Sequence, residues 1–118
     1  MTRTVLVVDD DPLLRECLAD ILTAEGDGVQ TAGDGHAALQ AVQAHPPDLI
    51  LLDYQMPRCD GPQFATAYRR HPGPPARIVL LAAAPSAPQR AQEVGAAGWL
   101  GTPFAVAALL DLVAPYAA

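Results

Sequence analysis

Val7 to Leu14 reads VVDDDPLL, an apolar run that passes into three consecutive aspartates, a proline and two leucines. Carboxylates a few ångströms apart repel one another and hold their protons more tightly, so such a cluster needs a cation, hydrogen-bond donors or open water. Upstream, Thr4–Val8 has the β-rich, unbroken apolar character of a strand buried on both faces. Downstream, Asp11-Pro12 is a helix start, because Asp can cap the first amides and Pro fits the first turn. Leu14, Cys17, Leu18, Ile21 and Leu22 then recur at three-and-four spacing, giving a helix that ends near Gly26 with this stripe, Cys17 included, turned inward.

The same strand-then-helix unit repeats along the chain. Further short apolar runs lie at Val29–Ala32, Leu49–Leu52, Ile78–Leu81 and, more weakly, Gly98–Gly101. Helical patterns follow at His36–Ala44, Pro62–Arg70, Pro85–Val94 and Phe104–Tyr116. The fourth of the five helices opens with two prolines and is expected to be short or to start late. Strands such as DLILLD, Asp48–Asp53, have no polar face to leave in water. Alternation of this kind predicts an α/β domain, a doubly wound parallel sheet of five strands covered by helices on both faces. HPGPPAR, His71–Arg77, reads as a rigid connection and not as an interdomain linker.

A chain of 118 residues with 51% hydrophobic content suffices for one ordinary core. The net charge is −6, and all seven basic residues are arginines, spread singly or in one pair. That leaves no basic stripe for a phosphate backbone, so no nucleic-acid contact is expected, and an acidic partner is disfavoured. Cys17 and Cys59 form neither a disulfide framework nor a zinc spacing, which suits a reducing cytoplasm. Val5–Val8 is too short for a signal-peptide core and no stretch has the length of a membrane span, so a cytoplasmic protein without membrane contact is expected.

In open sheets of this kind, ligands sit beyond the carboxyl ends of the strands where the strand order reverses. With an order of 2-1-3-4-5, that point lies between the first strand, ending in Asp9, Asp10 and Asp11, and the third, ending in Asp53. Asp11 is better explained as the helix cap. The other three carboxylates suit a hard cation such as Mg²⁺, which takes one or two carboxylates and gathers phosphate oxygens. A solvated helix start accounts for DDD alone, but not for Asp53 at the same point.

VLVVDDDPLLR, PDLILLDYQMPRCDG and GAAGWLGTPF together resemble the signature blocks of response-regulator receiver domains, including the stand-alone chemotaxis type. The resemblance covers essentially the whole chain and implies the 2-1-3-4-5 flavodoxin-like fold, with a single receiver domain at 1–118 and no output domain. It further implies a phosphoryl group received on Asp53 from a histidine kinase or phosphotransfer protein, and signalling to a downstream protein target. The Mg²⁺ ligands it implies are Asp10, Asp53 and the backbone carbonyl of Gln55, with Asp9 acting mainly through a metal-bound water. The domain would be no enzyme beyond catalysing its own phosphorylation and dephosphorylation. Met56-Pro57 and Asp60-Gly61 match the loop after the acceptor, with Gly61 and Pro62 launching the next helix.

Two positions depart from the family. Ala82 stands where receivers usually carry Thr or Ser, and Thr102 stands in the usual lysine position. With no lysine in the chain, only an arginine could restore that charge, and Arg58 is the nearest by sequence. Trp99 sits where the family often has an aromatic switch residue. Cys59 lies in the active-site loop without a partner thiol, and His36, His45 and His71 share no metal-ligand spacing. A pseudo-receiver that acts without phosphorylation is the alternative; a phosphohydrolase is disfavoured by Gln55, where that class carries a second Asp. The fourth helix, fifth strand and fifth helix form the expected partner surface. In the fifth helix, Val106, Leu109, Leu110 and Val113 are assigned to the sheet, leaving Leu112, Tyr116 and the alanines for an apolar contact or homodimer.

Overall fold

The computed structural model describes residues 2–56, 59–73 and 75–116. Its elements alternate strictly: β1 (Thr4–Val8), α1 (Pro12–Ala24), β2 (Gly28–Ala32), α2 (Gly35–Ala44), β3 (Leu49–Asp53), α3 (Gly61–Arg69), β4 (Arg77–Ala83), α4 (Ala87–Val94), β5 (Gly98–Thr102) and α5 (Val106–Val113). All pairings are parallel and the order is β2-β1-β3-β4-β5, so the doubly wound α/β fold is as read from the sequence.

The period-two alternation of side chains divides the central strands between two cores. Leu6, Val8, Ile50, Leu52, Ile78 and Leu80 face α2, α3 and α4, where Val42, Phe64 and Val94 meet them. Val5, Val7, Leu49, Leu51, Val79 and Leu81 face the other way, onto Leu18 and Leu22 of α1 and Leu109 and Val113 of α5. With both faces covered, these strands hold the acidic strand ends on a rigid frame. Arg3 fastens the opposite end, forking onto Asp27 at 3.0 and 2.7 Å and donating to the carbonyls of Val113 and Tyr116.

Several helix boundaries and faces differ from the sequence reading. α4 starts at Ala87, after the first proline, as its two prolines imply. α5 is shorter than Phe104–Tyr116, because Ala105 has no side chain to cap it and Pro115 has no amide to continue it. Leu112 and Tyr116 pack toward the core, whereas Val106 is 48% exposed. Val106 stands at the helix start and at the edge of the sector centred on Leu109 and Val113. Cys17 is exposed rather than inward, since it projects about 100° from the buried Leu18.

Candidate functional site

The strand order reverses between β1 and β3, and the acids gather there. Asp9 continues β1, its amide donating to the carbonyl of Ala32 at 3.1 Å. Its side chain is 2% exposed and accepts from the Asp11 amide at 2.9 Å. Asp11 itself caps α1, accepting from the amides of Leu13 and Leu14, as expected. Arg15, one turn on, reaches back to the Asp9 carbonyl at 2.9 Å. Asp53 ends β3, where the following amide, that of Tyr54, bonds the Leu81 carbonyl at 3.0 Å.

Carboxylate oxygens of Asp9, Asp10 and Asp53 lie within 4.8 Å of one another. Burial pushes the Asp53 carboxyl up to about 7, reinforced by the charge of Asp9, by the hydrogen bond that the protonated Asp53 donates to Asp10 and by the charge of Asp10, and only partly offset by the Gln55 amide. Burial likewise raises Asp9, against the Asp11 amide, with Asp10 and Asp11 adding to the rise and Arg15 opposing it. A hydrogen bond between two carboxyls requires a shared proton, so the cluster is short of positive charge near neutrality. An all-oxygen donor set this compact fits a hard cation.

Loop geometry holds the acceptor strand end. Asp60 caps α3 through a reciprocal pair with Gln63, each bond 3.0 Å long. A Cβ on Gly61 would lie 2.9 Å from the Asp53 carbonyl oxygen, so only glycine lets α3 start against this backbone. On the other side of the same loop, a Cβ on Gly35 would lie 2.3 Å from Sγ of the buried Cys59. Burial pushes that thiol up, making Cys59 a packing residue.

Asp53 opens onto a cleft of about 400 Å³ lined by Tyr54, Gln55, Ala82, Ala83, Ser86, Arg90 and Thr102. A second opening, on the side of Asp10, shares Tyr54 and Gln55 and includes Met56 and Asp60. The structure therefore brings together Asp9, Asp10, Asp53, Gln55, Ala82 and Thr102. Ala82 offers only a methyl group, while the Thr102 hydroxyl donates to the Ala82 carbonyl at 3.3 Å and the Thr102-Pro103 peptide is cis. Trp99 is 48% exposed on β5, and its neighbour Leu100 packs inward. His36 and His45 are exposed, and His71 stacks on Tyr68. Pro57 and Arg58 lie outside the described residues.

Three side chains on this cleft escaped the sequence reading: Tyr54, Ser86 and Arg90. Arg90 lies 36 residues beyond Tyr54, yet its guanidinium sits 4.6 Å from the Tyr54 ring centroid and 3.0 Å from its hydroxyl. The available signal was topological, since the first turns of a helix following β4 lie at the carboxyl end of the sheet.

A parallel α/β sheet with a carboxylate cluster at its switch point defines a class of acidic-site domain. Within that class the chain belongs to the family described as the response regulator receiver domain, which matches residues 5–114. It is 44% identical over 100 residues to the probable transcriptional regulatory protein NarL of Mycobacterium tuberculosis, covering 81% of this chain and 46% of that one. It is 33% identical over 112 residues to the transcriptional regulatory protein PdtaR of the same organism, covering 94% and 55%. The chain thus spans about half the length of these curated relatives. Among solved structures, the chemotaxis response regulator CheY4 of Vibrio cholerae superposes with a TM-score of 0.86 at 32% identity, covering 99% and 100% of the two chains. A putative response regulator from Chloroflexus aurantiacus gives 0.89 at 31%, covering 98% of each. This is a receiver domain of two-component signalling. Among the described residues, no helix is long and apolar enough to cross a membrane.

Proposed function

We propose that the domain takes a phosphoryl group on Asp53 from the phosphohistidine of a kinase or phosphotransfer protein. The observation carrying this reading is that Asp53, at the rigid end of β3, shares a 4.8 Å carboxylate cluster with Asp9 and Asp10 and faces an open cleft. An Asp53 carboxylate oxygen forms the new bond to phosphorus as the bond to the donor breaks, and the donor group leaves with the electron pair. Asp10, Asp53 and the Gln55 carbonyl would hold Mg²⁺, with Asp9 contributing through water. When bound, the ion screens the phosphoryl oxygens from the carboxylates and stabilises charge in transfer. Asp9, anchored by the Asp11 amide, keeps the cluster compact, and Asp53 is oriented by the β3 backbone.

The modified domain acts through protein contact rather than on a substrate of its own. Trp99 and Val106, each 48% exposed, support the α4-β5-α5 face as the contact surface, for a partner or for a second copy. Leu112 is excluded as its centre, because it packs against the core. A second reading, an interaction module independent of phosphorylation, draws on the methyl of Ala82 and the neutral Thr102. Incubation with Mg²⁺ and acetyl phosphate, read by intact mass, separates the two. One added phosphoryl group, absent in Asp53→Asn, is expected; no addition from acetyl phosphate or from kinase donors, with the protein folded, overturns the first reading in favour of the second.

A further inference from the structure

Receiving a phosphoryl group on Asp53 replaces one carboxylate charge with a group carrying about two negative charges, beside Asp9 and Asp10. Neither of the flanking positions supplies a countercharge, since Ala82 and Thr102 are neutral and the chain lacks lysine. Among the described residues, the cation lining the Asp53 cleft is Arg90. Arg15 is committed elsewhere, to the Asp9 carbonyl.

Arg90 sits in a small exchangeable network. Its guanidinium stacks on the Tyr54 ring, donates to the Tyr54 hydroxyl at 3.0 Å and pairs with Glu93 at 3.2 Å. The Tyr54 hydroxyl in turn donates to Glu93 at 2.7 Å. Both members of the ion pair are about 40% exposed, so the pair is screened and weak. Phosphoryl oxygens offer a guanidinium a stronger, forked contact than one half-solvated carboxylate. Ser86, one turn before Arg90, lines the same cleft and spends its hydroxyl on a long 3.3 Å bond to the Ala83 carbonyl.

Resting on the phosphoacceptor reading above, we infer that Arg90 is the cation that meets the phosphoryl group on Asp53, exchanging its pairing with Glu93 for it. The exchange releases the Tyr54 hydroxyl and Glu93 and reorganises the first turns of α4. A charge from α4 thereby takes the place of one from the end of β5. Phosphorylation is coupled to the α4 surface through Tyr54, Arg90 and Glu93, with no hydroxyl needed at position 82.

The test uses the full chain with Mg²⁺ and beryllofluoride, a phosphoryl mimic, with binding measured calorimetrically. Arg90→Ala should weaken beryllofluoride binding tenfold or more, and Arg90→Lys should recover part of that loss. Glu93→Gln should tighten binding several-fold by removing the competitor, an opposite sign that lost packing does not produce. Affinity for Mg²⁺ alone should stay as in the parent in all three variants. A parent that binds beryllofluoride while Arg90→Ala and Glu93→Gln bind it equally well overturns the Arg90 inference alone. A parent that neither binds beryllofluoride nor gains mass from acetyl phosphate overturns the phosphoacceptor reading, and the inference with it.

Discussion

Replacing Asp53 with Asn should stabilise the metal-free protein, and by an amount that depends on pH. The Asp53 carboxyl is raised from its ordinary 3.8 to about 7, first by burial and then by Asp9 and Asp10. The folded state therefore binds a proton that the unfolded chain has already released, and stability falls as pH rises from about 4 to about 7. A difference of about three pH units at roughly 1.36 kcal/mol each sets an upper bound of about 4 kcal/mol. Solvent reaches the site through the cleft, and screening reduces this to about 2 kcal/mol. Asn is isosteric and neutral, and its amide can donate to Asp10 where a second carboxylate repels it. Thermal unfolding in chelator should then place Asp53→Asn roughly 6–10 °C above the parent at pH 8. The gap should close as pH falls through about 4 and below, where the parent's carboxyl becomes protonated in the unfolded state as well as the folded one. Saturating Mg²⁺ should also narrow it, by stabilising the parent more than the variant. Equal melting temperatures at pH 8 without metal, or a gap that widens on acidification, would refute the claim that the cluster is electrostatically strained.

The other predictions test neighbouring parts of the site. Mg²⁺ should raise the parent's melting temperature, and Asp10→Ala should abolish most of that rise; an unchanged rise would remove Asp10 from the ligand set. Gly61→Ala forces a Cβ to within 2.9 Å of the Asp53 carbonyl oxygen and should cost about 1–3 kcal/mol in urea unfolding. Normal stability there would show that the start of α3 yields freely. The double change Ala82→Thr with Thr102→Lys should lengthen the lifetime of the phosphorylated form or enlarge its effect on Trp99 fluorescence; spectra and lifetimes equal to the parent's would show that neither departure limits the response. Leu112→Glu should lower stability, because Leu112 packs toward the core, whereas Trp99→Glu should leave stability unchanged and weaken any self-association seen by light scattering.

Local signals set much of this structure. Five apolar runs, each leading into a helical stripe, specify a two-sided parallel sheet, because strands without a polar face must be covered twice. Asp11-Pro12 fixes the start of α1 through a cap that needs only neighbouring amides. The acidic positions are likewise legible, since β1 runs directly into aspartates and β3 ends in one, and parallel strands place those ends together. Other features depend on the angle and distance at which elements meet. Cys17 fits the helical spacing of α1 but falls outside the arc that the sheet covers, and Leu112 fits the outer face of α5 but turns inward. Periodicity gives the width of an apolar stripe, whereas the docked neighbour determines its centre. Arg90 is far from Asp53 along the chain, but α4, folded back over the end of β4, carries it to the Asp53 cleft and to Tyr54. Chain separation says nothing of that approach, because the packing of α4 on the sheet is what brings Arg90 to the cleft.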